Sequence, residues 1–358
     1  MKIALLNLPF DNNYGGNLQR YALMHTLEAL GHDVTHLNLR AWYKKTTIIE
    51  KAILIIKYCI LKITRRQINW NLYQRMFPFA DYQEKCSTVE PFHTKYVKHT
   101  EPIYSTEDLV QFKDFDCFLV GSDQVWSKSM AKKYLPTMFF SYLPDKAKRV
   151  AYSVSLGKDT NELTDDEIKL YAELYKKFDA VSVREKSALS LFKQYGWDSP
   201  EAIQTLDPTL LLDKDVYNNL IEHAETSKPS GNAFCYILDY NPQKQECIDK
   251  LCSSKNLTPF VFSIDRKSGN HSIEQWLRSF RDADYIVTDS YHGFLFSIIY
   301  NKPFHLFQNE KRGNARFDSV CESLGIDANS DQQDWAKVNR KLKTMREVNI
   351  SYLMKALQ

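Results

Sequence analysis

No two cysteines of the 358-residue chain are spaced as CxxC, and seven of them cannot close into a complete set of disulfides. Both features argue against a disulfide-stapled secreted fold and fit a reducing compartment. The first residues, MKIALLNLPF, lack the n-region and small-residue cleavage site of a secretory leader, so a cytoplasmic location is expected. Charge of one sign is not in excess. With 47 Lys and Arg against 44 Asp and Glu, the net charge of +3 is too small to predict a nucleic-acid partner. HExxH, close histidine pairs and cysteine clusters are missing, which argues against a metal, and without GxSxG a serine hydrolase is not expected. No uninterrupted run of about 20 apolar residues exists, so no spanning helix is expected. The nearest approach, IIEKAILIIKYCILKI over 48–63, is broken by Glu50, Lys51, Lys57 and Lys62. Its lysines do not gather on one face, and the expectation is a helix packed partly into a core. Arg65 and Arg66 behind it leave a peripheral membrane contact through 48–66 open, at the inner face of the cell membrane.

What is present is an ordinary globular composition, 44% hydrophobic and 25% charged, in a chain long enough for two domains. KIALLNL, a turn cluster, the helical pattern LQRYALMHTLEALG and then HDVTHLNLR read as a βαβ opening, hence an α/β fold with parallel sheets. Further strands are expected at 116–121, 149–155, 180–184 and 202–209, with a helix capped by Thr164 and Glu167 between two of them. A second series follows at 233–240, 258–264, 284–290 and 302–307. The division expected is a Rossmann-like domain over 1–213, a linker over 214–231, a second such domain over 232–340 and a C-terminal helix over 341–358.

Ligands of open α/β sheets bind at the carboxyl ends of strands, which directs attention to the loops there. DNNYGGNLQ after the first strand offers Asn13, Asn17 and Gln19 as neutral hydrogen-bonding groups around Gly15 and Gly16. It is neither GxGxxG nor a P-loop, and a plain strand-to-helix turn would look the same. In GSDQVW, Ser122 and Asp123 can cap a helix, while Gln124 and Trp126 suit a sugar, polar groups on hydroxyls and ring on an apolar face. Arg184 ends a strand, where it can grip a carboxylate or phosphate or make a structural ion pair. In TDSYHGF, Asp289 or Ser290 can cap the next helix and Gly293 permits close packing, but His292 beside a helix N-terminus also suits an anion and acid–base chemistry. Lys311, Arg312 and Arg316 follow in a basic loop.

Taken in order, NNYGGNLQRYAL, GSDQVW, SVREKSA, DPTLLL, TDSYHGFLFSIIYNKPF and RGNARF resemble the polysaccharide pyruvyl transferase family over residues 7 to 325. The resemblance implies a fold like the GT-B glycosyltransferases, two Rossmann-like domains facing across a cleft. It implies transfer of pyruvate from phosphoenolpyruvate to two hydroxyls of a sugar in a cell-surface glycan or its lipid-linked precursor, with no cofactor beyond that co-substrate. Arg184, Ser290, Tyr291, His292, Gly293, Arg312 and Arg316 are then the expected phosphoenolpyruvate side. His292, Asp123 and Asp289 are the proton-transfer candidates. The acceptor is expected against Asn13, Tyr14, Gly15, Gly16, Asn17, Gln19, Ser122, Asp123, Gln124 and Trp126. One departure stands out: Ser290 and Tyr291 occupy places where many members carry an arginine. A glycosyltransferase using a nucleotide sugar and a non-catalytic glycan-binding protein are the alternatives.

Overall fold

The computed structural model describes residues 1–40, 47–64, 85–263, 271–307 and 315–358. Strands β1 (Lys2–Leu6), β2 (Asp33–His36), β3 (Cys117–Gly121), β4 (Arg149–Val154), β5 (Ala180–Val183) and β6 (Ala202–Gln204) form one sheet in the order β2-β1-β3-β4-β5-β6. Strands β7 (Ala233–Ile237), β8 (Pro259–Ser263), β9 (Tyr285–Thr288) and β10 (Phe304–Leu306) form a second, ordered β10-β9-β7-β8. Every pairing in both sheets is parallel.

Parallel strands are covered on both faces and so read as near-continuous apolar runs. CFLVG of β3 and AFCYI of β7 are buried at every residue. The arginine that opens β4 is buried as well, and it is tolerated because its guanidinium donates to the carbonyls of Leu143, Pro144, Asp145 and Ala147.

The helices used below are α1 (Tyr14–Ala29), α2 (Ile48–Ile63), α3 (Lys214–Glu222), α4 (Ile273–Asp282), α5 (Tyr291–Ile299), α6 (Ala315–Leu324) and α7 (Trp335–Leu357). Residues 214–222, expected to begin a linker, form α3, capped by Asp213 and packed on α4. α7 begins at Trp335 rather than 341 and returns to the first half. There Arg346 donates to the carbonyls of Leu210 and Leu212, and Asn349 Oδ1 accepts from the Leu206 N–H at 2.8 Å. One apolar cluster, with Leu5 and Leu18 at one end and Trp276 and Phe296 at the other, runs through both halves.

α2 differs from the expectation of a partly packed helix. Ile48, Ile49, Ile53, Ile55, Ile56, Ile60 and Ile63 are all exposed, and only Leu54, Tyr58 and Leu61 are half-buried.

In the first sheet the chain leaves β1 toward β2 on one side and places β3 on the other. In the second, β8 and β9 flank β7 in the same way. Each reversal opens a crevice at the carboxyl ends of the central strands. The loops after β1, β3, β7 and β9 all reach the same place.

Candidate active site

These loops wall one pocket of roughly 210 Å³. Asp11 and Asn13 come from the loop after β1, Asp123 and Gln124 from the loop after β3, Tyr236 and Leu238 from β7 and its exit, and Asp289, Ser290, Tyr291 and His292 from the exit of β9. Arg316 of α6 closes the remaining side.

Two helices begin at this pocket. The Asn13 side chain caps α1 by accepting from the Gly16 N–H at 3.2 Å, and Ser290 Oγ caps α5 by accepting from the Gly293 N–H at 3.3 Å. First-turn N–H groups have no acceptor inside their own helix, and with the helix dipole they favour an anion. The helix starts also touch. A Cβ on Gly15 would lie 2.0 Å from His292 Nδ1, so only glycine lets the imidazole rest on the first turn of α1.

His292 is held from its other side. Its Nε2 lies 2.6 Å from Gln19 Nε2 and 3.6 Å from Asp207 Oδ2, while Gln19 Nε2 donates to Asp207 Oδ2 at 2.6 Å. The Gln19 amide thus links the imidazole to the Asp207 carboxylate. Asp207 also accepts from Arg184 Nη1 at 2.9 Å and, through Oδ1, from the Thr209 N–H and hydroxyl. Burial works against its charge, but His292, Arg184 and the Thr209 N–H outweigh burial and hold its carboxyl well below the usual range. Once protonated, His292 therefore faces a fixed carboxylate.

Arg184 stands behind the pocket wall instead of in it. It is buried, paired with Asp207, and lies 4.6 Å from the Tyr291 ring centroid, which the Arg316 guanidinium approaches to 5.2 Å. Its Nε and Nη2 have no hydrogen-bond partner among the described residues, and Nη2 is 3.9 Å from Asp123 Oδ1. The expected direct grip of Arg184 on a ligand thus becomes support for Tyr291 and Asp207. Arg316 remains on the pocket wall, where burial and then the neighbouring Arg184 press its pKa down. An anion bound there would relieve both effects. Arg312 and Lys311 lie outside the described residues.

Several other expected contacts are corrected. Trp126 is buried, stacks on Phe139 at 4.3 Å and donates Nε1–H to the Met138 carbonyl, so its ring is closed to a sugar. Asp289 accepts from the Leu238 and Asp239 N–H groups and from Lys244 Nζ at 2.5 Å, which ties the exits of β9 and β7 together and removes it from proton transfer. Asn17 donates to the Asp11 and Asn13 carbonyls and accepts from Arg20, all within the first half. The Tyr14 hydroxyl donates to the His271 carbonyl, and its ring stacks on Trp276. Ser122 is buried behind Asp123, Gln19 is buried against His292, and Gly16 and Gly293 pack against Asp123 and Thr288.

A profile of the polysaccharide pyruvyl transferase family matches residues 13–311, a span that takes in both helix starts, Asp207 and His292. The chain belongs to that family. The family places it among proteins of polysaccharide pyruvylation. No curated protein sequence matches the chain. Among solved structures, the chain is similar to UDP-N-acetylglucosamine 2-epimerase from Rickettsia bellii, with 9% identity, 99% of this chain and 98% of that one covered, and a TM-score of 0.48. It is also similar to UDP-GlcNAc 2-epimerase from Neisseria meningitidis bound to UDP-GlcNAc, with 10% identity, 97% and 99% covered, and a TM-score of 0.45. Similarity this low transfers no chemistry.

Two features of the site in this family member escape a reading of the sequence. Asp207, buried behind His292, heads the DPTLLL run, whose residues do not show locally what they will meet. Asp11 is exposed at the pocket rim, and its partial enclosure by the surrounding loops together with the Asp123 charge raises its carboxyl to about 6, against the Asn13 N–H and Arg20. Nothing local in FDNNYGG marks that enclosure, because Asp123 and the second half create it.

Proposed function

We propose that the protein transfers pyruvate from phosphoenolpyruvate to two hydroxyls of one hexose, in a cell-surface polysaccharide or its lipid-linked precursor, and releases phosphate. The observation that carries this reading is the convergence of two helix N-termini, Arg316 and His292 on one small pocket. Phosphoenolpyruvate is a small trianionic acid with two separate anionic groups. The helix starts and Arg316 supply two separate places for them.

Protonated Asp11 gives its proton to the methylene carbon of the enol, and a sugar hydroxyl adds to the central carbon while losing its proton to the Asp123 carboxylate. The product is a tetrahedral ketal phosphate. His292, protonated and steadied by Asp207, delivers its proton to the departing phosphate, which leaves with the C–O electron pair. The second hydroxyl then captures the oxocarbenium carbon and gives up its proton to a carboxylate, closing the cyclic ketal. The Asp11 and Asp123 carboxylates also stabilise the cationic carbon.

Calorimetric titration of the protein with phosphoenolpyruvate and, separately, with UDP-hexoses tests the donor. Phosphoenolpyruvate should bind, and Arg316→Ala should weaken it by about tenfold or more. Binding of UDP-hexoses with no heat from phosphoenolpyruvate would overturn the reading.

A further inference from the structure

Among the described residues, helix α2 carries a large exposed apolar surface that the site does not use. At 100° per residue, Ile55, Ile48, Cys59, Ala52, Ile63, Ile56, Ile49, Ile60 and Ile53 follow one another around an unbroken arc of about 160°. Every one of these side chains is exposed. Opposite them lies a narrow seam of Leu54, Tyr58 and Leu61, spaced i, i+4, i+7, which is half-buried. The helix therefore shields only its smaller apolar side and leaves its larger one exposed, the reverse of a surface helix serving a core.

Charge indicates what covers the outer arc. Lys57 projects just beyond one edge of it and Lys62 just beyond the other, both exposed, with the Lys62 ammonium 6.0 Å from the Tyr58 ring centroid. The helix carries three lysines against one glutamate, and the sequence continues with Arg65 and Arg66. Lysines bordering an isoleucine face reach phosphate headgroups while the isoleucines enter the acyl boundary. The helix is capped on its own by a Thr47–Glu50 capping box, so it has a defined start without a partner. A second copy fits less well. The arc is far wider than a coiled-coil seam, and a helix about 24 Å long offers on the order of a few hundred Å², short of the about 800 Å² per partner of a stable dimer. Among the described residues no helix is long and apolar enough to cross a membrane.

We propose that α2 lies in the surface of an anionic phospholipid bilayer, apolar arc down, and holds the protein there peripherally. This stands independently of the donor and of the chemistry in the pocket.

The test is flotation of the full chain with phosphatidylcholine–phosphatidylglycerol vesicles and with phosphatidylcholine alone. Wild-type protein should float with the anionic vesicles and lose most of that binding in high salt. Ile56→Glu/Ile60→Glu should bind at least about tenfold more weakly at an unchanged melting temperature, and Lys57→Glu/Lys62→Glu should lose the preference for anionic lipid. A fluorophore on Cys59, the exposed cysteine of the seven, should shift to the blue on adding anionic vesicles. Absence of flotation, equal flotation of the isoleucine variant, or a wild-type dimer in solution that the isoleucine variant makes monomeric would overturn the proposal.

Discussion

Asp11 carries a carboxyl that would ionise near pH 4 in open solution, and its enclosure beside Asp123 moves it to about 6. A proton donor works only in its protonated form, whose fraction falls as pH rises through the pKa. The pH profile of kcat/KM should therefore decline above about pH 6. Asp11→Asn should remove that limb together with most of the activity. A profile flat from pH 5 to 8 in the wild type would assign the proton to another group. Gly15 makes a second demand at this scale. In Gly15→Ala the new methyl group meets His292 Nδ1, so either α1 or the imidazole must move. Thermal melting should show a loss of about 1–3 kcal/mol, with kcat falling more than stability alone explains. Unchanged kcat would mean that the placement of His292 does not matter.

At the scale of elements, α7 is a clasp, and Asn349 is its point of attachment. The Asn349 amide accepts from the Leu206 N–H and the Tyr152 hydroxyl and donates to the Met345 carbonyl. Asn349→Ala leaves a buried N–H next to Asp207 without its acceptor, and denaturant unfolding should show a loss of about 1–3 kcal/mol. The central strands were legible because parallel strands covered on both faces are short apolar runs between turn residues, as CFLVG and AFCYI illustrate. Trp126 was not legible. Asp123 and Gln124 give it the look of a sugar platform, but Phe139, Phe178 and Phe192 enclose its ring from positions far along the chain. α2 misled in the opposite direction. Its apolar content suggests a core, but only Leu54, Tyr58 and Leu61 are even half-buried. The position of Arg184 at a strand exit is visible locally, but its place behind Tyr291 depends on the second half of the chain.

For the whole molecule, two parallel sheets bring their points of strand-order reversal to one pocket, and the imidazole of one half rests on the first turn of the other half's helix. Neither half holds His292 alone: Gly15, Gln19 and Asp207 come from the first and the histidine from the second. Catalysis in the pocket should depend on this joint. The most direct measurement is phosphate release from phosphoenolpyruvate with a hexose-containing acceptor, counted against ketal formed, for the wild type and His292→Ala. One phosphate per ketal is expected in the wild type, with a loss of about 10²-fold or more in the variant at an unchanged fold. Near-normal turnover by His292→Ala, or phosphate release without ketal, would contradict the assignment.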